Sequence, residues 1–124
     1  MLTYPAVAQM LKERYGFEEV RPEHLSLDEE IHLYRDARMV IGAEGAGLYS
    51  AVYAQPGATY VSVGDEDYIM PVLGSAASVR GFDVAYVFGE SLRADSDVRR
   101  RLPTGHADYM VDPATVAKMI EQLL

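Results

Sequence analysis

A glycine-rich segment with one acidic side chain is the first place in this sequence where residue types and spacing suggest chemistry. Gly42, Gly45 and Gly47 lie between two apolar runs, and Glu44 lies among them. In open α/β sheets, ligands bind beyond the carboxyl ends of strands, where amides at helix N-termini can bind an anion. The spacing differs from the dinucleotide motif and from the P-loop, since Leu48 follows the last glycine. The segment therefore predicts either an anion-binding loop or a tight strand-to-helix turn that needs glycine for positive φ and close packing.

Glu44 narrows what this loop could bind. A carboxylate at a helix N-terminus competes with an anionic ligand for the same amides. Glu44 is therefore a candidate for a general base, for an acceptor of a ribose hydroxyl, or for a residue that caps the helix. Capping is the simplest of the three roles.

Two acidic residues after the next apolar run suggest a metal site. Asp65 and Asp67 could hold a divalent cation against a diphosphate, because hard cations prefer carboxylate oxygens. In so acidic a chain the favoured interpretation is a solvated turn. His24 and His32 have no partner at ligand spacing and are predicted to be surface residues, and Ser50 lacks the context of a nucleophilic serine.

Residues 89–108 form a polar and basic segment. Arg93 and the three arginines at 99–101 supply four of the eleven basic residues, with Thr104 and His106 nearby. Such a segment could clamp a diphosphate or bind an acceptor through charge-assisted hydrogen bonds. A solvent-exposed loop, or a surface on which another domain docks, is the favoured interpretation.

The elements that must position these residues alternate along the chain. We expect helices at 5–15, 48–54, 68–80 and 114–124, a further helix that begins at the capping box of Ser26 and Glu29, and strands at 39–42, 59–63 and 83–88. Residues 16–22 are either a short strand or an extended link. Alternation of this kind predicts an α/β layer fold with parallel strands.

Composition limits the classes of protein to consider. The chain has 124 residues, of which 49% are hydrophobic and 24% charged, and it has no cysteine. These values fit one globular domain that folds without disulfides or thiolate metal sites. With 19 acidic and 11 basic residues the net charge is −8, which argues against a nucleic-acid partner. The sequence has no apolar run of the roughly 20 residues that span a bilayer.

Several segments agree in order and spacing with one protein family. Residues 16–63, "GFEEVRPEHLSLDEEIHLYRDARMVIGAEGAGLYSAVYAQPGATYVSV", contain a Gly-Phe, a Pro-Glu, a Leu-Ser-Leu, a loop similar to "GxHGAGLTN" and a Pro-Gly before the next strand. The tail "ADYMVDPATVAKMIEQLL" matches a closing strand and a Val-Asp-Pro helix. In these features the chain resembles the C-terminal core of glycosyltransferase family 61, which includes enzymes of capsular polysaccharide synthesis, plant xylosyl- and arabinosyltransferases and animal protein O-linked N-acetylglucosamine transferases.

The resemblance implies a fold, a reaction and a donor site. The implied fold is the Rossmann-like, three-layer C-terminal half of a GT-B enzyme, with a mainly parallel sheet. Such a half holds a nucleotide sugar, usually a UDP-sugar, without a cofactor or obligatory metal, and the sugar passes to a hydroxyl with inversion. The residues that match the motif, or follow it, are the implied donor contacts: Gly45, Ala46, Gly47, Leu48, Tyr49 and Ser50, with Arg93 as a further contributor.

The sequence departs from the family pattern at three polar positions. Glu44 stands where the family has His, Ser50 where it usually has Asn, and Ser62 where a Glu often ends the strand. A histidine can donate a hydrogen bond to a phosphate oxygen, whereas an ionised Glu44 can only accept one. A degenerate, non-catalytic module for nucleotide-sugar binding or protein contact is therefore the alternative function.

We expect residues 1–124 to be a single Rossmann-like domain and a fragment of a two-domain protein, because the chain begins in a helix where an open βαβ fold begins in a strand. Such a fragment lacks its N-terminal domain and the site for a glycan or protein acceptor. It should not turn over alone, since orienting donor against acceptor needs both walls of the cleft. An unpaired strand edge could lead to a homodimer. The expected location is cytoplasmic, or membrane-associated through parts outside this chain.

Overall fold

The computed structural model describes residues 3–44, 46–65, 71–91 and 109–124. The α-helices in these ranges are α1 (Tyr4–Tyr15), α2 (Leu27–Asp36), α3 (Val72–Arg80) and α4 (Pro113–Leu123), and two 3₁₀ helices span Pro22–His24 and Ala46–Tyr53. The strands are β1 (Met39–Ala43), β2 (Thr59–Asp65), β3 (Asp83–Ser91) and β4 (Tyr109–Met110). None of the helices in these ranges is both long enough and apolar enough to cross a membrane.

The strands form one sheet in the order β1-β2-β3-β4. β1 and β2 are parallel, and their register places Met39 opposite Thr59 and Ala43 opposite Val63. β3 and β4 are antiparallel, with Glu90 opposite Met110. The prediction of a mixed α/β fold with a mostly parallel sheet is therefore confirmed.

Contacts divide the chain into two compact units. The terminal unit contains the described parts of Met1–Glu19, Gly64–Ile69 and Val87–Leu124. The central unit contains those of Val20–Val63 and Met70–Tyr86. The chain passes between the units within β2 and within β3. That residues 1–124 form a single Rossmann-like domain stays a prediction.

In the terminal unit, α1 packs against α4. Both helices have capped ends: Gly16 ends α1 with φ of 71°, and Asp112 begins α4 by accepting a hydrogen bond from the amide of Ala114 at 2.9 Å. The Thr3 hydroxyl donates to the carbonyl of Val111 at 2.8 Å and accepts from the Val111 amide at 3.0 Å. The start of the chain is thereby tied to the segment between β4 and α4.

In the central unit, a 3₁₀ helix takes the place of the predicted helix at 48–54. It spans Ala46–Tyr53 and contacts α2, α3 and β1. The buried core of this unit consists of Leu48, Ala51, Ala54, Ala58, Tyr60, Leu73 and Phe82. The small alanine side chains let the 3₁₀ helix approach its neighbours closely, and the rings of Tyr60 and Phe82 lie 5.0 Å apart.

Two other predictions concern the connections. The capping hydrogen bond of α2 is present, since the Glu29 amide donates to the Ser26 hydroxyl at 3.2 Å. Residues 16–21 form a connection without helix or strand. The helix predicted at 68–80 is observed from Val72 to Arg80, and its first residues lie outside the described residues.

Candidate functional site

The loop between β1 and the 3₁₀ helix lies at the carboxyl end of β1. The amide of Glu44 donates to the carbonyl of Val63 at 2.8 Å, which continues the pairing of β1 with β2 by one residue. The 3₁₀ helix then begins at Ala46, and Gly45 lies outside the described residues. The main chain around the loop thus has the position that the sequence predicts for a ligand site of an open α/β sheet.

The side chain of Glu44 is held by β2. The hydroxyl of Ser62 donates a hydrogen bond to the Glu44 carboxylate, and Ser62 is only 1% exposed. Because Ala43 lies opposite Val63, alternation along the strands places Glu44 and Ser62 on the same face of the sheet. Two of the three positions that depart from the family pattern are therefore bonded to each other, a contact that the sequence analysis did not predict.

Tyr86 on β3 completes a polar cluster with Glu44 and Ser62. Burial raises the pKa of the Tyr86 phenol, and the negative charge of Glu44 raises this pKa further. The Tyr86 phenol therefore lies within electrostatic range of the Glu44 carboxylate. We call these three residues the Glu44 cluster; it lies within the central unit.

Gly42 allows the 3₁₀ helix to pack closely on β1. A Cβ atom at this position would lie 2.8 Å from Cδ2 of Leu48, and Leu48 is only 4% exposed. The φ angle of Gly42 is not in the left-handed region. Of the two roles predicted for the loop glycines, Gly42 thus serves close packing rather than positive φ.

The implied donor contacts differ in how much side chain they expose. Leu48 and Ser50 are buried, at 4% and 7%, whereas Tyr49 is 45% exposed. The side chain of Ala46 lies outside the described part of the structure, as does Arg93, and Gly47 has no side chain. Among the described side chains of this set, Tyr49 is therefore the one with substantial surface for a ligand.

Ser50 belongs to a buried group of hydroxyls. Burial raises the pKa of the Tyr34 phenol, a hydrogen bond with Ser50 partly offsets this rise, and the charge of Glu30 adds to it. Burial likewise raises the pKa of Tyr60, and the Ser50 hydroxyl beside it partly offsets this rise. The Tyr60 hydroxyl lies beside Ser50, but it is buried without a hydrogen-bond partner of normal geometry in the described part of the chain.

Replacing Tyr60 with phenylalanine should therefore stabilise the protein. A buried hydroxyl without a partner costs about 1–3 kcal/mol, so we expect Tyr60→Phe to raise the free energy of unfolding by about 1 kcal/mol. Tyr34→Phe is the matched control: it removes the hydroxyl that bonds to Ser50 and should lower that free energy by about 1 kcal/mol. Urea unfolding at pH 7 measures both. Equal losses in the two variants would mean that the Tyr60 hydroxyl has a partner in solution.

A cleft opens beside this part of the central unit. Its volume is about 520 Å³, and it is lined by Pro22, Glu30, residues 48–53 and three residues of α3, namely Val72, Leu73 and Ala76. Leu48, Tyr49 and Ser50 belong to this lining. Three of the implied donor contacts thus border a concave surface of the size that small ligands occupy.

Some of the remaining candidates from the sequence lie in the described part of the chain, and the others lie outside it. Asp65 ends β2 and is 4% exposed, so the solvated-turn interpretation is wrong for this residue, while Asp67 lies outside the described residues. The described ranges contain no group of three acidic or histidine side chains that could hold a metal ion. His24 and His32 are exposed, as predicted. Residues 92–108, with the arginines at 99–101, Thr104 and His106, lie outside the described part of the chain.

Comparison with known proteins supports the resemblance found in the sequence. The family model for glycosyltransferase 61 matches residues 1–61, that is 61 of the 124 residues. The matched range includes α1, α2, β1, the 3₁₀ helix and the loop that contains Glu44. No curated protein and no solved structure matches the chain. The match supports the suspected relation to glycosyltransferase family 61 and, with it, a glycosyltransferase.

Proposed function

We propose, from the match of residues 1–61 to glycosyltransferase 61, that this chain is the nucleotide-sugar-binding half of an inverting glycosyltransferase. In this proposal the chain is a Rossmann-like domain equivalent to the C-terminal half of a GT-B enzyme. The donor is a UDP-sugar, and the acceptor is a hydroxyl of a glycan or protein in polysaccharide or glycoconjugate synthesis. A second domain supplies the acceptor side, so the chain alone binds donor without transferring the sugar.

The position of the loop at the end of β1 is the observation that carries this proposal. The Glu44 amide already donates a hydrogen bond to the carbonyl of Val63, and the 3₁₀ helix begins two residues later. The first amides of a helix have no partner within the helix and bear partial positive charge, which suits an anion. In the proposed complex the amides from Gly45 to Leu48 bind the donor diphosphate, and Arg93 contributes a charge-assisted bond.

The hydrogen bond from Ser62 removes the main objection to an acidic residue in this loop. A free carboxylate would compete with the diphosphate for the loop amides. In the structure, the Glu44 carboxylate accepts from Ser62 on β2 and lies near the phenol of Tyr86. We infer that the Glu44 cluster directs this charge toward the sheet, so that Glu44 anchors the loop rather than acting as a general base.

Binding of UDP to the 124-residue chain tests the proposed function. Calorimetry should detect UDP and a UDP-sugar, and Gly45→Val should abolish binding of both because a side chain would obstruct the approach of phosphate to the loop amides. Gly74→Ala is the matched control, since no atom lies within 4 Å of the added Cβ in α3. A wild-type chain that binds neither ligand contradicts the proposal. Glu44→His should raise the affinity if the carboxylate still weakens binding.

A non-catalytic module is the second candidate, and the acidic side chain of Glu44 in the loop is the observation that favours it. A histidine at this position could donate a hydrogen bond to phosphate, whereas an ionised carboxylate cannot. The two candidates differ when the acceptor-side domain is present. A glycosyltransferase then releases UDP during transfer, whereas a sensing or protein-contact module binds the UDP-sugar and leaves it intact.

A further inference from the structure

One edge of the sheet is open along the whole of β1. The strand order places β1 and β4 at the two edges. β4 has only two residues, and so short an edge strand offers little for another chain to pair with. β1 has five residues, "MVIGA", without a charged side chain or a proline, which are common protections of an edge strand. β1 is therefore the edge of this sheet that can accept a further strand.

The hydrogen bonds of β1 show which main-chain groups face the open edge. The carbonyl of Arg38 accepts from the amide of Thr59 at 2.9 Å, and the amide of Glu44 donates to the carbonyl of Val63 at 2.8 Å. Because the direction of these groups alternates along a strand, every second residue between Arg38 and Glu44 points away from β2. These outward residues are Met39, Ile41 and Ala43. Within the described ranges, their outward N–H and carbonyl groups have no hydrogen-bond partner.

The outward groups are complementary to themselves in an antiparallel pair centred on Ile41. Opposite residues of such a pair exchange two hydrogen bonds when their main-chain groups face each other. With Ile41 opposite Ile41 of a second copy, Met39 lies opposite Ala43, so every outward N–H group meets an outward carbonyl. A shift by two residues would leave either Met39 or Ala43 without a partner. The length of β1 therefore selects one register.

The side chains of β1 fit the same register. Met39 faces the small side chain of Ala43 of the second copy, and Val40 faces Gly42. Each larger residue thus lies opposite a small one, so the two strands can approach without a clash between bulky side chains. Ala43 is exposed, and Met39 is half-buried, so these side chains have surface left for a second copy to cover.

Charges at the two ends of β1 are complementary in this register. Arg38 lies opposite Glu44 of the second copy, and the two side chains project from the same face of the paired sheet. Arg38 is exposed. A carboxylate has two oxygens, so Glu44 can accept from Ser62 and from a guanidinium together. The contact occurs twice, once at each end of the paired strands, and opposite charges facing each other across strands stabilise the pair.

We propose that β1 is an interface for a second copy of this chain, which pairs with it antiparallel with Ile41 on the two-fold axis. Such an interface uses the same surface on both copies, as in most symmetric dimers. The sheet then continues from one copy into the other. The pairing needs no nucleotide, so it can fail while the proposed donor function stands, and the reverse also holds.

Single cysteines test the register, because the chain has no cysteine of its own. Opposite residues of a hydrogen-bonded antiparallel pair have Cα atoms about 5.5 Å apart, within the range of about 4.4–6.8 Å that a disulfide spans. Ile41→Cys should therefore give a covalent dimer on mild oxidation. Ala43→Cys should not, since its two copies lie roughly 14 Å apart along the strands, but a mixture of Ala43→Cys and Met39→Cys chains should cross-link.

Sedimentation velocity of the 124-residue chain tests the dimer itself. The dimer fraction of the wild type should grow with protein concentration. Ala43→Pro removes an outward N–H group and no bond to β2, a position where an edge strand tolerates proline, and should give a monomer. Arg38→Glu places like charges opposite each other at both ends and should raise the dissociation constant by about tenfold. Arg35→Glu is the matched control: it makes the same change of charge at an exposed arginine of α2 and should leave the dimer unchanged.

A charge exchange shows whether Arg38 and Glu44 face each other. Combining Arg38→Glu with Glu44→Arg restores opposite charges and should return the dissociation constant toward that of the wild type. A double variant that dimerises no better than Arg38→Glu, or cross-linking of Ala43→Cys alone in place of Ile41→Cys, contradicts this register. A wild-type chain that stays monomeric at all concentrations overturns the proposal. So does a dimer that survives Ala43→Pro, because it forms through another surface.

Discussion

Replacing Gly89 with alanine is expected to lower the free energy of unfolding by about 3 kcal/mol. A Cβ atom at this position in β3 would lie 2.4 Å from the carbonyl oxygen of Met110 and 2.5 Å from Cγ2 of Val111. The closest of these atoms belongs to the main chain, which cannot rotate away as a side chain can. The expected result is separation of β3 from β4, with a fall in melting temperature of roughly 10 °C.

Thermal unfolding and hydrogen exchange test this result together. Glu90→Ala changes the next residue of the same strand, which is exposed, and should alter the free energy of unfolding by no more than about 0.5 kcal/mol. The amides of β3 and β4 should exchange faster in Gly89→Ala than in Glu90→Ala. If Gly89→Ala has the melting temperature of the wild type, β4 does not pack on β3 in solution as it does in the structure.

The helix ends could be predicted from the sequence because capping depends on residues a few positions apart. Ser26 accepts from the amide of Glu29, Asp112 accepts from the amide of Ala114, and Gly16 adopts positive φ at the end of α1. Each contact needs only a local pattern of hydroxyl, carboxylate or glycine. The alternation of these helices with apolar strands then predicts the mixed α/β fold.

The contacts of the candidate site could not be predicted in the same way. Glu44 and Ser62 are 18 positions apart, and they meet only because the register of β1 and β2 places them on one face. No local pattern marks Glu44 as a partner of Ser62 rather than as a helix cap. The cleft depends likewise on the packing of α2 and α3 around a 3₁₀ helix, whereas helical periodicity predicts only that a helix exists.

Replacing Gly42 with valine should damage both stability and donor binding. Even a single Cβ atom would lie 2.8 Å from Cδ2 of Leu48, and valine adds two further methyl groups at a half-buried position. Overpacking of this kind costs about 1–3 kcal/mol. Because Leu48 lies in the loop motif, its displacement should also move the amides that are proposed to bind the diphosphate. We expect UDP affinity to fall at least about tenfold, measured by calorimetry on the folded variant.

A double-mutant cycle identifies the side chain through which Gly42 acts. Leu48→Ala alone should cost about 2–5 kcal/mol by leaving a cavity. In the combined Gly42→Val and Leu48→Ala variant, the valine occupies part of that cavity, so the loss of stability should be smaller than the sum of the single losses. Additive losses would show that Gly42 is needed for some other contact. If stability recovers in the double variant while UDP affinity stays low, β1 tolerates the valine and the position of the loop main chain determines donor binding.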